Sequence, residues 1–376
     1  MHKKLSTLLL SLTITLFAFG QKQTTKSAAP KQQSLPANQE GFTNKAEAKN
    51  ITTNGLKEGK WIEHMTYKED SAQQIHFTIT ADTNTPIYCL TVYKSGKPVG
   101  IQNVCEKGGM VVIETPYKDG NKNGEEKWFK KGGKLDMTVV YKDGQKDGLE
   151  QKYNADGKVI MLTNFTKDEL NGEHKAFYDD GKISNEEHYS NGKPLGTSKS
   201  YYQNGSLMQE TTYTDGKKNG VAKQYNEDGT IKEEKPYTNG LENGTEKMYS
   251  DKGVLQVEIP FTNGKRNGTA KVYYPSGKVS NEDVFVDDKK TGLCRSYYED
   301  GKIQAEYHYT DGKQNGMMKL YAESGILTME SMYIEGKLNG VSKMYYDDGT
   351  IKSQTTFDNG KELAKVNYDT KGNEIK

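Results

Sequence analysis

The chain holds 376 residues, of which 33% are hydrophobic at a mean hydropathy of −0.90, and its 52 basic residues balance 51 acidic ones to a net charge of +1. Balanced charge gives bulk electrostatics no hold on nucleic acid or on an anionic membrane. Disordered chains are poor in aromatics, so the 25 tyrosines argue against wholesale disorder.

The first 20 residues read as an export signal. Lys3 and Lys4 give a short basic start, and LSTLLLSLTITLFAF follows, too short to span a bilayer comfortably. Ala18 and Gly20 place small residues where a signal peptidase reads, which predicts cleavage before Gln21. No cysteine follows the cleavage site to take a lipid, and no later stretch could span a membrane, so the mature protein is expected to be exported, periplasmic or extracellular. Residues 21–50 are assigned to a flexible low-complexity linker, richest in Gln, Lys, Ser, Pro and Ala over 21–40.

Residues 51–92 read as a degenerate first repeat, NGLKEGKWIEH, followed by an irregular segment over 65–88 that completes an N-terminal cap. Cys89, Cys105 and Cys294 are the only cysteines, an odd count for an exported chain. Cys89 and Cys105 flank SGKPVG and form a candidate disulfide across a hairpin centred there.

From residue 93 to 360 a period of 24 residues takes over. Twelve aromatics recur at that step from Tyr93 to Phe357, without insertion or deletion. A second aromatic column runs from Phe129 through Tyr153, Phe177 and Tyr201 to Tyr345, with Cys105 in its first place. An aliphatic column runs from Val111 to Ile351 and a glycine column from Gly109 to Gly349, both unbroken. One period, GVAKQYNEDGTIKEEKPYTNGLEN, holds two strand-forming stretches and two turns, because Asp-Gly and Asn-Gly accept positive φ and Tyr, Val, Ile and Thr fit a pleated surface. Pro236 is expected at a strand end, where no ladder bond is lost.

A hairpin this short is not stable alone, but stacked hairpins share a continuous face. The expected fold is all-β: an elongated array of stacked antiparallel hairpins forming one long twisted sheet, roughly 100 Å in extent at the spacing of neighbouring strands. Residues 361–376 are charged and out of phase, a cap that discourages edge pairing.

Gly216, Gly220, Tyr225, Gly229, Ile231 and Tyr237, repeated as Gly240, Gly244, Tyr249, Gly253 and Leu255, carry a pattern that resembles the MORN repeat, in the variant found in the bacterial YwqK-type antitoxin family. The resemblance covers about residues 55–360 and implies protein binding, membrane association or neutralisation of a toxin, with no catalytic residues. Asp168 and Asp288 stand where the pattern has its first glycine, and Ala364 where it has the second.

Two charged columns share the period: Lys175, Lys199, Lys223 and onward to Lys343, and Glu186, Glu210, Glu234 and onward to Glu330. A two-residue turn at Asp228-Gly229 would set Lys223 opposite Glu234, whereas a three-residue turn with a bulge would break that pairing. The columns are then either a solvated ladder that fixes register or a striped docking face. The six histidines form no His-x(3)-His pair, and no P-loop, G-x-S-x-G or calcium-loop spacing appears. No catalytic residue, metal ligand or cofactor is expected, and the chain is expected not to be an enzyme.

The expected function is an exported scaffold that binds an unknown protein partner in the cell envelope, with a YwqK-like antitoxin or a structural envelope spacer as alternatives. Lipid association is opposed by neutral charge and the lack of an amphipathic helix. Candidate partner-binding sites lie where the columns break: at Asp168 beside Leu162, at Asp288 beside Cys294, and over 65–88.

Overall fold

The computed structural model describes residues 41–375, apart from residue 43 and residues 70–74; the export signal and residues 21–40 of the linker lie outside the described residues. Among the described residues, the strands form one open antiparallel sheet of 36 strands, many of them two-residue pieces beyond a turn. Two compact units divide the described chain: one runs up to Lys182 and includes Tyr189–Gly192, the other comprises Ile183–His188 and the residues from Lys193 onward.

The period quoted above shows how sequence becomes sheet. Gly220–Tyr225 and Ile231–Thr238 pair as antiparallel strands. Glu227, Asp228 and Gly229 join them, closed by hydrogen bonds from the Asn226 amide to the Thr230 carbonyl and from the Gly229 amide to the Asn226 carbonyl, each 2.9 Å. Gly229 takes φ +87, and Asp228 accepts from the Thr230 amide at 2.9 Å. The turn therefore has three residues, not the two that the Lys223–Glu234 pairing called for. The pairing forms all the same, because a second irregularity between Gln224 and Tyr225 shifts the register back.

The next turn is the two-residue kind. Asn239 at φ 52 and Gly240 at φ 88 are both left-handed, and Thr238 faces Leu241 across them. That is the turn whose twist matches its flanking strands. Beyond it the returning strand carries extra residues at Asn243 and Gly244 before Lys247 meets Glu234. Pro236 lies beside this excess, inside Ile231–Thr238 and not at its end. The ladder is interrupted there, so its missing N–H costs no cross-strand bond, and its carbonyl accepts from the Asn243 amide at 3.0 Å.

Alternation along the strands sends the two aromatic columns to opposite faces. Tyr225, Ile231, Lys223 and Glu234 share one face; Ala222, Gln224, Glu233, Lys235 and Tyr237 share the other. At the N-terminal end both faces are apolar. Tyr88, Leu90, Val92 and Cys105 pack on the first, and Met65, Ile87, Cys89, Val104 and Ile113 on the second. Phe42, buried, covers the first face with Ala48, and Lys45–Glu47 forms a short 3-10 helix capped by Asn44. Residues 44–50 are thus folded, where the composition read as linker, because one phenylalanine and one alanine suffice to cover a small apolar patch.

The stretch expected to be irregular is mostly strand. Leu56–Glu69 is 14 residues long, pairing with Ile87–Lys94 over its first half and with Ile75–Thr80 over its second. The glycine period stops there, but the strands do not.

Candidate functional site

The first face is a bonded lattice. From Tyr201 onward, each tyrosine of the second column donates its hydroxyl to the glutamate fifteen residues earlier: Tyr201 to Glu186 at 3.0 Å, Tyr225 to Glu210 at 2.8 Å, Tyr249 to Glu234 at 2.9 Å, Tyr273 to Glu258 at 2.6 Å, Tyr297 to Glu282 at 2.8 Å, Tyr321 to Glu306 at 3.2 Å and Tyr345 to Glu330 at 2.8 Å. The same glutamates meet the basic column across the strands, as in Lys223–Glu234 at 3.7 Å, Arg295–Glu306 at 3.1 Å and Lys343–Glu330 at 3.3 Å. Burial, then the neighbouring glutamate, pushes the Tyr225, Tyr249, Tyr273 and Tyr345 hydroxyls up to about 12. These charges are engaged with one another, which supports the register-fixing reading over the docking stripe.

Asp168 and Asp288 hold left-handed turn positions at φ 68 and φ 71, following Lys167 and Asp287, which are also left-handed. Their carboxylates do work that glycine cannot. Asp168 Oδ1 accepts from the Lys146 amide at 2.8 Å while its own amide donates to the Lys146 carbonyl at 2.9 Å. Asp288 repeats this with Arg266, at 3.0 Å in each direction, and Oδ1 also accepts from Arg266 Nε at 3.2 Å. Both column breaks thus tie one turn to the turn of the preceding repeat. Leu162 sits in the glutamate column, and Cys294 is fully buried on the second face.

The candidate bridge between Cys89 and Cys105 is not made. All three cysteines are free and buried. Cys89 pairs with Val104 and Tyr88 with Cys105, so the two thiols point to opposite faces of the sheet. The two-residue turn at Ser95 and Gly96 sets this, and the two-residue register shift between Leu90 and Val92 leaves the faces unchanged. Burial pushes the Cys89 thiol up to about 12 and the Cys105 thiol up to about 11.

The second face differs from repeat to repeat. Lys122, Lys146, Lys218 and Arg266 each lie over a ring of the first aromatic column, 4.4 to 4.9 Å from Tyr141, Phe165, Tyr237 and Phe285. Glu126, 2% exposed, accepts from Thr115 Oγ1 at 2.7 Å, from Trp128 Nε1 at 2.9 Å and from Lys122. Glu246 is held by Lys235 at 2.9 Å, with Glu233 and Glu242 close by. Burial pushes the Glu246 carboxyl up; burial alone would lower Lys235, but Glu246 carries it up instead.

The projecting half of the Leu56–Glu69 and Ile75–Thr80 hairpin presents apolar side chains to solvent. Met65 faces Ile79 and Tyr67 faces Phe77 on one side. Met65 is buried, whereas Tyr67, Phe77 and Ile79 are 52%, 40% and 62% exposed. Among the described residues, Ile75–Thr80 pairs only with Leu56–Glu69, which leaves its other edge open. Sequence reasoning flagged this segment as a break in period but missed its strands and its apolar side; the alternation HFTIT was the available signal. No helix among the described residues is long and apolar enough to cross a membrane.

Among solved structures, the chain is similar to a TcdB2–TccC3–Cdc42 complex, at 11% identity and a TM-score of 0.15, over 83% of this chain and 21% of that one. It is also similar to the Photorhabdus luminescens Tc holotoxin pore, at 10% identity and a TM-score of 0.12, over 77% and 19%. The chain spans about a fifth of the length of these matches. No curated protein matches it. The family model described as the MORN repeat variant matches seven segments, residues 170–191, 194–215, 218–239, 242–263, 266–287, 290–311 and 338–359. The turn–strand–turn–strand unit drawn above is the unit these matches repeat, and the chain is a repeat protein carrying seven MORN repeat variants.

Proposed function

We propose that this chain is an exported, non-catalytic scaffold of the cell envelope that captures another protein through the projecting hairpin of Leu56–Glu69 and Ile75–Thr80. The observation that carries the reading is the coincidence of an open strand edge with Tyr67, Phe77 and Ile79 exposed on one side. An open edge offers unpaired backbone groups, and clustered exposed apolar side chains mark interaction surfaces. The partner that fits is an extended segment with alternating apolar residues, adding as one more strand along Ile75–Thr80. The bonded Tyr–Glu–Lys face and the two Asp-locked turns then serve as the rigid support.

Pull-down from envelope extracts tests this, with wild type beside a chain carrying Phe77→Ser and Ile79→Ser. A partner retained by wild type and lost by the variant, with the melting curve unchanged, is the expected result. Equal retention by both chains moves the dock elsewhere. Export is checked by N-terminal sequencing: mature protein starting at Gln21 is expected, and Met1 recovered from a cytoplasmic fraction overturns the envelope placement.

A further inference from the structure

Within the second unit, the second face sinks into an open depression of about 170 Å³. Three consecutive strands build it. Asn185 and Glu187 come from Ile183–Ser190, Ser198 and Ser200 from Gly196–Tyr201, and Gln209 and Thr211 from Leu207–Thr214. Tyr213 of the first aromatic column also lines it. Asn185 pairs with Ser200, Ser200 with Gln209, and Ser198 with Thr211, so the six polar side chains lie in adjacent rows on one face.

The depression exists because the side chains here are small. Five periods further on, the positions of Ser198, Ser200 and Gln209 are held by Met318, Leu320 and Met329, which fill the same face. Nothing in the repeat architecture asks for serine: the strands pair in the same register in both places. The polar groups hold one another in place, Ser198 Oγ donating to Glu187 Oε1 at 3.4 Å and Gln209 Nε2 to Thr211 Oγ1 at 3.3 Å. Thr211 is 4% exposed, so the floor is fixed while the rim stays open.

Chemistry selects the ligand class. The lining offers hydroxyls and amides, which both donate and accept, one carboxylate, and one aromatic ring. With a carboxylate and no cationic side chain in the lining, an anion is repelled. With almost no aliphatic surface, an apolar anchor gains nothing by entering. A ligand whose own groups each donate and accept, with a C–H face to lay against a tyrosine, fits best. From this we infer that the depression binds a neutral carbohydrate, one or two sugar rings of an oligosaccharide lying across the strands. The site is separate from the projecting hairpin and does not rest on the protein-docking reading.

The test uses the full chain and a panel of neutral oligosaccharides: chitotriose, cellotriose, maltotriose and mannotriose. Saturation-transfer NMR on each sugar reads binding, and calorimetry gives the affinity. The informative variant carries Ser198→Met and Ser200→Leu, side chains this fold already accommodates at Met318 and Leu320. Saturable binding of at least one sugar, weakened about tenfold or more in the variant, is expected, the loss of about two net hydrogen bonds. Should that double variant fail to fold, Asn185→Ala must weaken binding in its place. No saturable binding across the panel overturns the inference, as does equal affinity in wild type and variant, or preference for an anionic probe such as trigalacturonate. Partner capture by the Phe77 and Ile79 hairpin is unaffected by these variants, so the two readings fail separately.

Discussion

At Gly229 and Gly244 the same residue type does two different jobs. Gly229 sits at φ +87 with open space where a Cβ would go, so its substitution meets only backbone strain. Gly229→Val should cost about 1–2 kcal/mol, the penalty of a left-handed L-residue. Gly244 is at φ +122, and a Cβ there would come within 2.9 Å of Pro236 Cγ. Gly244→Ala should therefore cost about 1–3 kcal/mol more than strain alone, and paired urea melts check the order. The tyrosines of the bonded face make a pH prediction. Tyr225, Tyr249, Tyr273 and Tyr345 are pushed from 10.0 up to about 12 by burial and by the glutamates they donate to. A folded value above the unfolded one means a contribution fully present below pH 10 and lost as pH rises through 12. Absorbance titration should show tyrosine ionising late and together with loss of the strand circular dichroism signal, and Tyr249→Phe should lower stability by about 1 kcal/mol. The thiols belong at this scale too. Cys89, Cys105 and Cys294 are buried, so Ellman's reagent should label none quickly until the chain is unfolded.

The hairpin is the scale at which the sequence was most legible and also where it misled. Period, strand positions and glycine-bearing turns all follow from four columns of Tyr, Ile and Gly, because each repeat must satisfy the same stacking geometry. Lys223 opposite Glu234 was readable as an outcome, though not by its route. A three-residue turn and a bulge beside Tyr225 offset one another, and neither offset has a residue signature of its own. The cysteine faces depend on where the turn falls: Lys94 opposite Lys97 puts Cys89 and Cys105 on opposite faces, and a turn one residue longer would have put them on the same one. Asp168 and Asp288 were legible as exceptions but not as locks, because their partners are Lys146 and Arg266, 22 residues away. The locking role predicts an asymmetry between two substitutions. Asp288→Ala keeps the left-handed strain and loses the carboxylate's bonds to Arg266, and should destabilise by about 1–2 kcal/mol. Asp288→Gly loses the same bonds but relieves the strain, and should stay within about 1 kcal/mol of wild type. Thermal melts of the two variants side by side decide it.

For the whole molecule, a strict period makes the repeat the natural unit of change. Deleting residues 266–289 removes one full period and lets Tyr297 inherit Glu258 as its acceptor, in place of Glu282. That chain should keep its strand signal and lose stability in proportion to one repeat. A deletion one residue shorter turns every later side chain to the wrong face and should abolish the cooperative melt. The bonded face has a further consequence for folding. Its Tyr, Glu and Lys recur so regularly that a growing sheet displaced by one whole period would find nearly every partner it needs there. Only the uneven face objects. A displaced Lys235 would meet Ala270 in place of Glu246, and a displaced Glu126 would part from Thr115, a donor on the neighbouring strand that helps make its burial tolerable. The irregular side of the sheet therefore acts as a set of street numbers on otherwise identical houses: it tells each hairpin which neighbour is its own.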